Sequence, residues 1–89
     1  AREVIAAAGL GDFFIHRVGH GLGLQAHEGP SLDPGSAIVL ETGMVITIEP
    51  GVYLPGWGGV RIEDEVVVEE RGGRPLTAAD HALRAVPTG

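Results

Sequence analysis

Hydrophobic and polar positions alternate along this chain in a way that sorts it into a few elements. In "AREVIAAAGLG", Val4, Ile5 and Ala8 recur at helical spacing and Gly9 and Gly11 follow as stops, which predicts the last turns of an amphipathic helix. From Phe13 to Arg17 the pattern reads as a short strand or extended segment. The stretch after it, through Pro30, is too rich in glycine for a helix and reads as a loop. Turn signals follow at Asp33-Pro34-Gly35 and at Thr42-Gly43. "MVITIE" is β-branched and strictly alternating, and Pro50-Gly51 stops it, so it predicts a strand ending at Glu49. "VYLPGWGG" reads as a short strand piece and a turn, and "VRIEDEVVVEE" as the strongest strand of the chain. "RGGRP" reads as a turn. "LTAADHALRAV" predicts a terminal helix with Thr77 as its N-cap and Asp80 in the reciprocal position. The sum is an α+β fold with a mostly antiparallel sheet, because the connections are too short for parallel βαβ units.

The same alternation decides which side chains share a face. Val45, Thr47 and Glu49 lie on one side of their strand, and Met44, Ile46 and Ile48 on the other, apolar side. Arg61, Glu63, Glu65 and Val67 share a side, against Val60, Ile62, Asp64, Val66 and Val68. Arg61 and Glu63 are therefore neighbours, and an arginine so placed can orient a carboxylate and keep it ionised. Taken singly, each of these groups has an ordinary reading. A strand-end glutamate is usually solvated, an Arg-x-Glu pair is usually a weak surface ion pair, and loop histidines are usually satisfied polar groups. Asp64 reads as structural, Glu69, Glu70 and Arg71 as solvated charge, and His81 as a surface residue.

Composition narrows the chemistry. With 89 residues the chain is at most one domain. It has no cysteine, so disulfides and thiolate metal sites are excluded and any metal must be held by histidine and carboxylate. A net charge of -6 with only six Lys and Arg argues against nucleic acid as a partner. The apolar runs are far short of a membrane span and no signal-peptide pattern is present, which gives the expectation of a cytoplasmic protein that does not engage membranes. The chain opens in mid-pattern, as the interior of a longer protein would.

Three of the four histidines stand in "HRVGHGLGLQAHEGP", separated by glycines that let backbone approach other groups closely. One histidine and two glutamates on neighbouring strands make a plausible metal set. With "GMVITIEPGVY" and "GGVRIEDEVVV" following in order, the segment from His16 to Val68 resembles the C-terminal half of the pita-bread metallopeptidases, in the Xaa-Pro aminopeptidase and prolidase branch. The resemblance implies half of a pita-bread fold, with residues 1–89 as the C-terminal part of one catalytic domain whose upstream half is absent. It implies His20, Glu49 and Glu63 as metal ligands, Glu63 bridging two divalent ions (manganese, cobalt or zinc). It implies His27 as the residue that contacts substrate and stabilises the tetrahedral intermediate, His16 as a further histidine on the substrate side, and Arg61 as support for the ligand shell. The family's two aspartate ligands lie upstream, and Asp12 and Asp33 do not stand in their context. This chain alone is therefore expected to be inactive, with its metals absent or partial. The implied substrate is a proline-containing peptide. The apolar strand faces, which a missing half would cover, add the expectation of a homo-oligomer. Two other readings stay open: a non-catalytic binding module on the same fold, and an independent mononuclear site made of His20, Glu49 and Glu63.

Overall fold

A computed structural model describes all of residues 1–89. Helix α1 spans Arg2–Ala7, and a single 3-10 turn follows at Gly11–Phe13. Seven strands come next: β1 (His20–Gly21), β2 (Glu28–Ser31), β3 (Val45–Ile48), β4 (Gly51–Leu54), β5 (Gly58–Arg61), β6 (Asp64–Glu69) and β7 (Gly72–Pro75). Five of them form an antiparallel sheet in the order β2-β1-β3-β6-β7, and β4 and β5 form a separate hairpin. The α+β, mostly antiparallel architecture is the one the pattern predicts. No helix is long and apolar enough to cross a membrane.

Helix α1 stops where its sequence says it should. Gly9 takes a positive φ of 80°, and Gly9 N–H and Leu10 N–H close back onto the Ala6 and Ile5 carbonyls at 2.9 and 3.1 Å. This is the paired closure that a left-handed glycine makes possible. None of the helix's residues is buried. It is held instead by Arg2, whose guanidinium donates to the Phe14 and His16 carbonyls, both at 3.0 Å, and lies 4.1 Å over the Phe14 ring.

β3–β4 and β5–β6 are one long ribbon with a constant register. Val45 pairs with Val67, Ile48 with Asp64, Gly51 with Arg61 and Leu54 with Gly58, all at the same offset. The ladder breaks only at Glu49-Pro50 and Ile62-Glu63. Pro50 has no N–H to donate, and only its carbonyl takes part, accepting from Ile62 N–H at 3.2 Å. The strand expected from Val60 onward is thus two strands, divided by the proline opposite.

Four other expectations need correction. Phe13 to Arg17 is not a strand, because the chain there makes a 3-10 turn and then an irregular stretch organised by Arg2. The glycine-rich loop contains β1 and β2, recruited by pairing with β3 and with each other. Residues 72–75 form the edge strand β7 against β6, not merely a turn. No helix forms after Thr77: the segment from Ala78 to Gly89 is exposed throughout, so an amphipathic face there has nothing to pack on.

The core is small. Eight of 89 residues are buried, and the buried hydrophobic side chains are Phe14 and Ile46. Beside them lie two buried polar residues, His20 and Thr47. That a histidine sits at the centre of so small a core is the first structural sign of what the sheet is built around.

Candidate metal centre

His20 is held by close backbone packing. β1 runs between β2 and β3, and the residues on either side of His20 have no room for a side chain. A Cβ on Gly19 would lie 1.7 Å from the Thr47 carbonyl oxygen, and one on Gly21 would lie 1.9 Å from that of Gly29. The alternation of histidine and glycine is therefore a packing requirement. His20 N–H donates to Thr47 Oγ1 at 3.1 Å. Its ring Nδ1 lies 2.8 Å from the Gly21 carbonyl, and since a carbonyl can only accept, Nδ1 carries the proton. Nε2 faces Glu49 Oε2, 3.3 Å away, and in a neutral ring it would carry a free lone pair. Two acceptors at that distance repel unless a positive charge, a proton or a cation, stands between them. A ring fixed by a carbonyl behind it, with its other nitrogen bare, is the usual arrangement of a metal-ligating histidine.

The carboxylates come from the break in the ribbon. Continuing the β3–β6 register one step beyond Ile48 and Asp64 sets Glu49 opposite Glu63, on the same side as Thr47 and Glu65. These four residues, with His20, His27 and Arg61, face one open pocket of about 410 Å³. Partial desolvation, then the nearby charges of Glu49 and Glu65, push Glu63 above the ordinary carboxylate range. Arg61 pulls the other way and does not prevail. The expectation that Arg61 would pair with Glu63 and keep it ionised is thus corrected: no ion pair joins them, and the main influence on the exposed guanidinium is the Tyr53 hydroxyl, ahead of Glu49 and Glu63.

The two remaining histidines part company. The ring of His27 lies 4.4 Å from that of His20, tilted by 42°, on the loop side of the pocket. His16 does not line this pocket. Its Nδ1 donates to the Arg17 carbonyl at 2.6 Å, and its Nε2 accepts from the Tyr53 hydroxyl at 2.9 Å. Its ring stands edge-on to Phe14 and Tyr53.

The donors fit a divalent cation, since an imidazole nitrogen and carboxylate oxygens are what manganese, cobalt and zinc accept. They do not form a finished shell, because no three His, Asp or Glu side chains are drawn together closely enough to hold an ion by themselves. Mutual repulsion of Glu49 and Glu63 opposes a tighter cluster. A larger cavity of about 620 Å³ lies between α1 and the segment from Pro30 to Leu40. Its lining includes Glu3 and Asp33 but no histidine, so the smaller pocket is the one that joins imidazole with carboxylates.

Two residues of the site are absent from the sequence reading. Thr47 holds the His20 backbone, and Tyr53 holds His16. The signal was there in the alternation, because both stand at odd positions on the Glu49 side of the ribbon.

Comparison with known proteins identifies the family. A family model described as metallopeptidase family M24 matches residues 1–70. The Xaa-Pro dipeptidase of Lactobacillus delbrueckii subsp. lactis is 49% identical over 98% of this chain, which corresponds to 24% of that protein. The solved prolidase from Pyrococcus furiosus superposes with a TM-score of 0.87 at 52% identity, over 90% of this chain and 24% of its own. Dipeptidase PepE from Mycobacterium ulcerans superposes with a TM-score of 0.93 at 48% identity, over 98% of this chain and 24% of its own. The sheet and its one short helix are thus the corresponding fragment of the pita-bread fold seen in these peptidases. The chain spans about a quarter of the length of the relatives it matches.

Proposed function

The chain belongs to metallopeptidase family M24, and on that premise we propose that residues 1–89 are the C-terminal part of the catalytic domain of a dinuclear peptidase that cleaves Xaa-Pro bonds, as a prolidase or an Xaa-Pro aminopeptidase. The observation that carries this reading is Nε2 of His20 facing the Glu49 carboxylate at 3.3 Å, its ring locked from behind by the Gly21 carbonyl. His20, Glu49 and Glu63 are the residues that would hold metal, with further carboxylates supplied from outside this chain. Bound divalent ions, manganese, cobalt or zinc, would supply Lewis-acid polarisation of the scissile carbonyl and a more acidic water.

The protein's own groups have distinct tasks. Glu63, whose carboxylate faces the pocket, accepts a proton from the attacking water. His27, at the pocket's open side, donates to the carbonyl oxygen as charge develops there. His16 is assigned to the substrate side, where Tyr53 orients its ring. Arg61 balances the charge of Glu49 and Glu63 from the pocket's edge. This chain alone supplies too few ligands for turnover. The exposed Trp57 and Val60 on the β4–β5 hairpin favour self-association, so the protein is further proposed to be a homo-oligomer, and a monomeric mass by light scattering at high concentration would count against that.

The test of the functional reading is hydrolysis of Xaa-Pro dipeptides by the complete protein before and after chelation, and after re-addition of each metal. Activity lost and then restored supports the reading. A protein that binds such peptides without cleaving them, with or without metal, would make this a binding module instead.

A further inference from the structure

Between Glu69 and Gly89, Thr77 is the one residue that is partly buried, the others being exposed. Its place follows from a gap in the sheet. The β6–β7 ladder runs from Glu69 and Gly72 to Val66 and Pro75, and there the proline has no N–H to continue it. The chain nevertheless continues antiparallel along β6 in the same register. Leu76 N–H donates to the Glu65 carbonyl at 2.7 Å, and Glu65 N–H donates to Thr77 Oγ1 at 3.3 Å. The Thr77 hydroxyl donates in turn to Asp64 Oδ1 at 2.7 Å, and His81 Nε2 reaches the same carboxylate at 3.0 Å.

Asp64 and Glu65 are the residues immediately after Glu63, and they leave the strand on opposite faces. Asp64 is anchored behind the sheet while Glu63 and Glu65 face the pocket. On the other edge of β6 the ladder with β3 ends at Ile48 and Asp64, and it resumes beyond Glu63 with Ile62 N–H on the Pro50 carbonyl at 3.2 Å. The hydroxyl of Thr77 is the side-chain contact that fixes the strand immediately after Glu63.

We propose that Thr77, acting through Asp64 and the Glu65 amide, is a positioning residue that aims Glu63 at the His20–Glu49 pair. This rests on the metal reading above. Outer contacts that orient a metal ligand change affinity by about 10- to 100-fold when removed.

The test uses the complete protein and manganese titrated by calorimetry, with kcat and KM for an Xaa-Pro dipeptide and amide exchange at Glu65 measured alongside. Thr77→Val, which keeps the shape and removes the hydroxyl, should weaken manganese binding about 10-fold or more. It should lower kcat with little change in KM and speed exchange at Glu65. Thr77→Ser should restore all of these. If Thr77→Val does not fold, Asp64→Asn carries the test, with weaker binding expected in the same direction. Wild-type manganese affinity in Thr77→Val or Asp64→Asn, even with a lowered melting temperature, would overturn the proposal and leave Thr77 a purely structural anchor. A wild-type protein that binds no manganese, cobalt or zinc would overturn it through the metal reading itself, an outcome distinct from the first.

Discussion

The two halves of the long ribbon share one register and one alternation, yet they behave as different materials. The inner half, β3 with β6, lies between β1 and β7 and contains Ile46, 3% exposed, and Thr47, 1% exposed. The outer half, β4 with β5, has no flanking strand and leaves Val60 55% and Trp57 85% exposed. Valine occurs in both. Burial in this molecule is therefore set by how many strands lie alongside, not by how apolar the ribbon is. The candidate site stands at the seam between the halves, where Pro50 interrupts the ladder. Strand geometry aims Glu49 and Glu63 into the pocket there.

If the seam is the functional part, changes there should abolish chemistry while changes in the two halves alter stability unequally. The largest effect is expected from Glu63→Gln in the complete protein, which keeps the side chain's size but removes a charge and a proton acceptor. Metal binding should weaken and Xaa-Pro hydrolysis nearly cease, as read by metal content and rate together. Next, Ile46→Ala in the inner half should cost about 3 kcal/mol, the usual scale for emptying a buried aliphatic site. Val60→Ala in the outer half should stay within about 0.5 kcal/mol. Equal shifts in denaturant midpoint would end the distinction between the halves.

His27→Ala tests the loop side of the pocket against the ribbon side. It should leave metal content unchanged and lower kcat about 100-fold, the scale for losing one donor to developing charge. Loss of metal in this variant, with full activity kept in Glu63→Gln, would reverse the assignments. The smallest effect is expected in the exposed tail. Arg84, 2.8 Å away, and then the Ala82 amide hold Asp80 below the ordinary aspartate value. A depressed folded pKa contributes stability that is present above the unfolded value and lost as pH falls through the folded one. The local turn should therefore open only at pH below the ordinary aspartate range. An Asp80 NMR titration midpoint at or above the free value would contradict this.

Much of the fold and site could be read from residues that report their own geometry. Gly9 marks the helix end because only a left-handed residue closes it there. The alternation in "MVITIE" and "VRIEDEVVV" placed Glu49 and Glu63 on one side, and the shared register then set them opposite each other. What could not be read depended on partners distant in sequence. β1 and β2 are two and four residues long, hold glycine and proline, and exist because β3 offers an edge. β7 is likewise recruited by β6. The expected terminal helix failed because Thr77, a good N-cap in isolation, spends its hydroxyl on Asp64 and the Glu65 amide, and because Leu83 and Val86 find no surface to cover. Arg61 next to Glu63 looked like an ion pair, but no ion pair joins them, and the larger influence on the guanidinium comes from Tyr53 on the neighbouring strand.

Anomalous diffraction from the manganese- or zinc-loaded complete protein tests the central claim most directly. The account predicts an ion at the seam, bonded to His20 Nε2 and Glu49 at about 2.0–2.2 Å if zinc, with Glu63 turned to the same site and Nδ1 of His20 still on the Gly21 carbonyl. Ions bound elsewhere, with His20 Nε2 left donating a proton to Glu49, would contradict it.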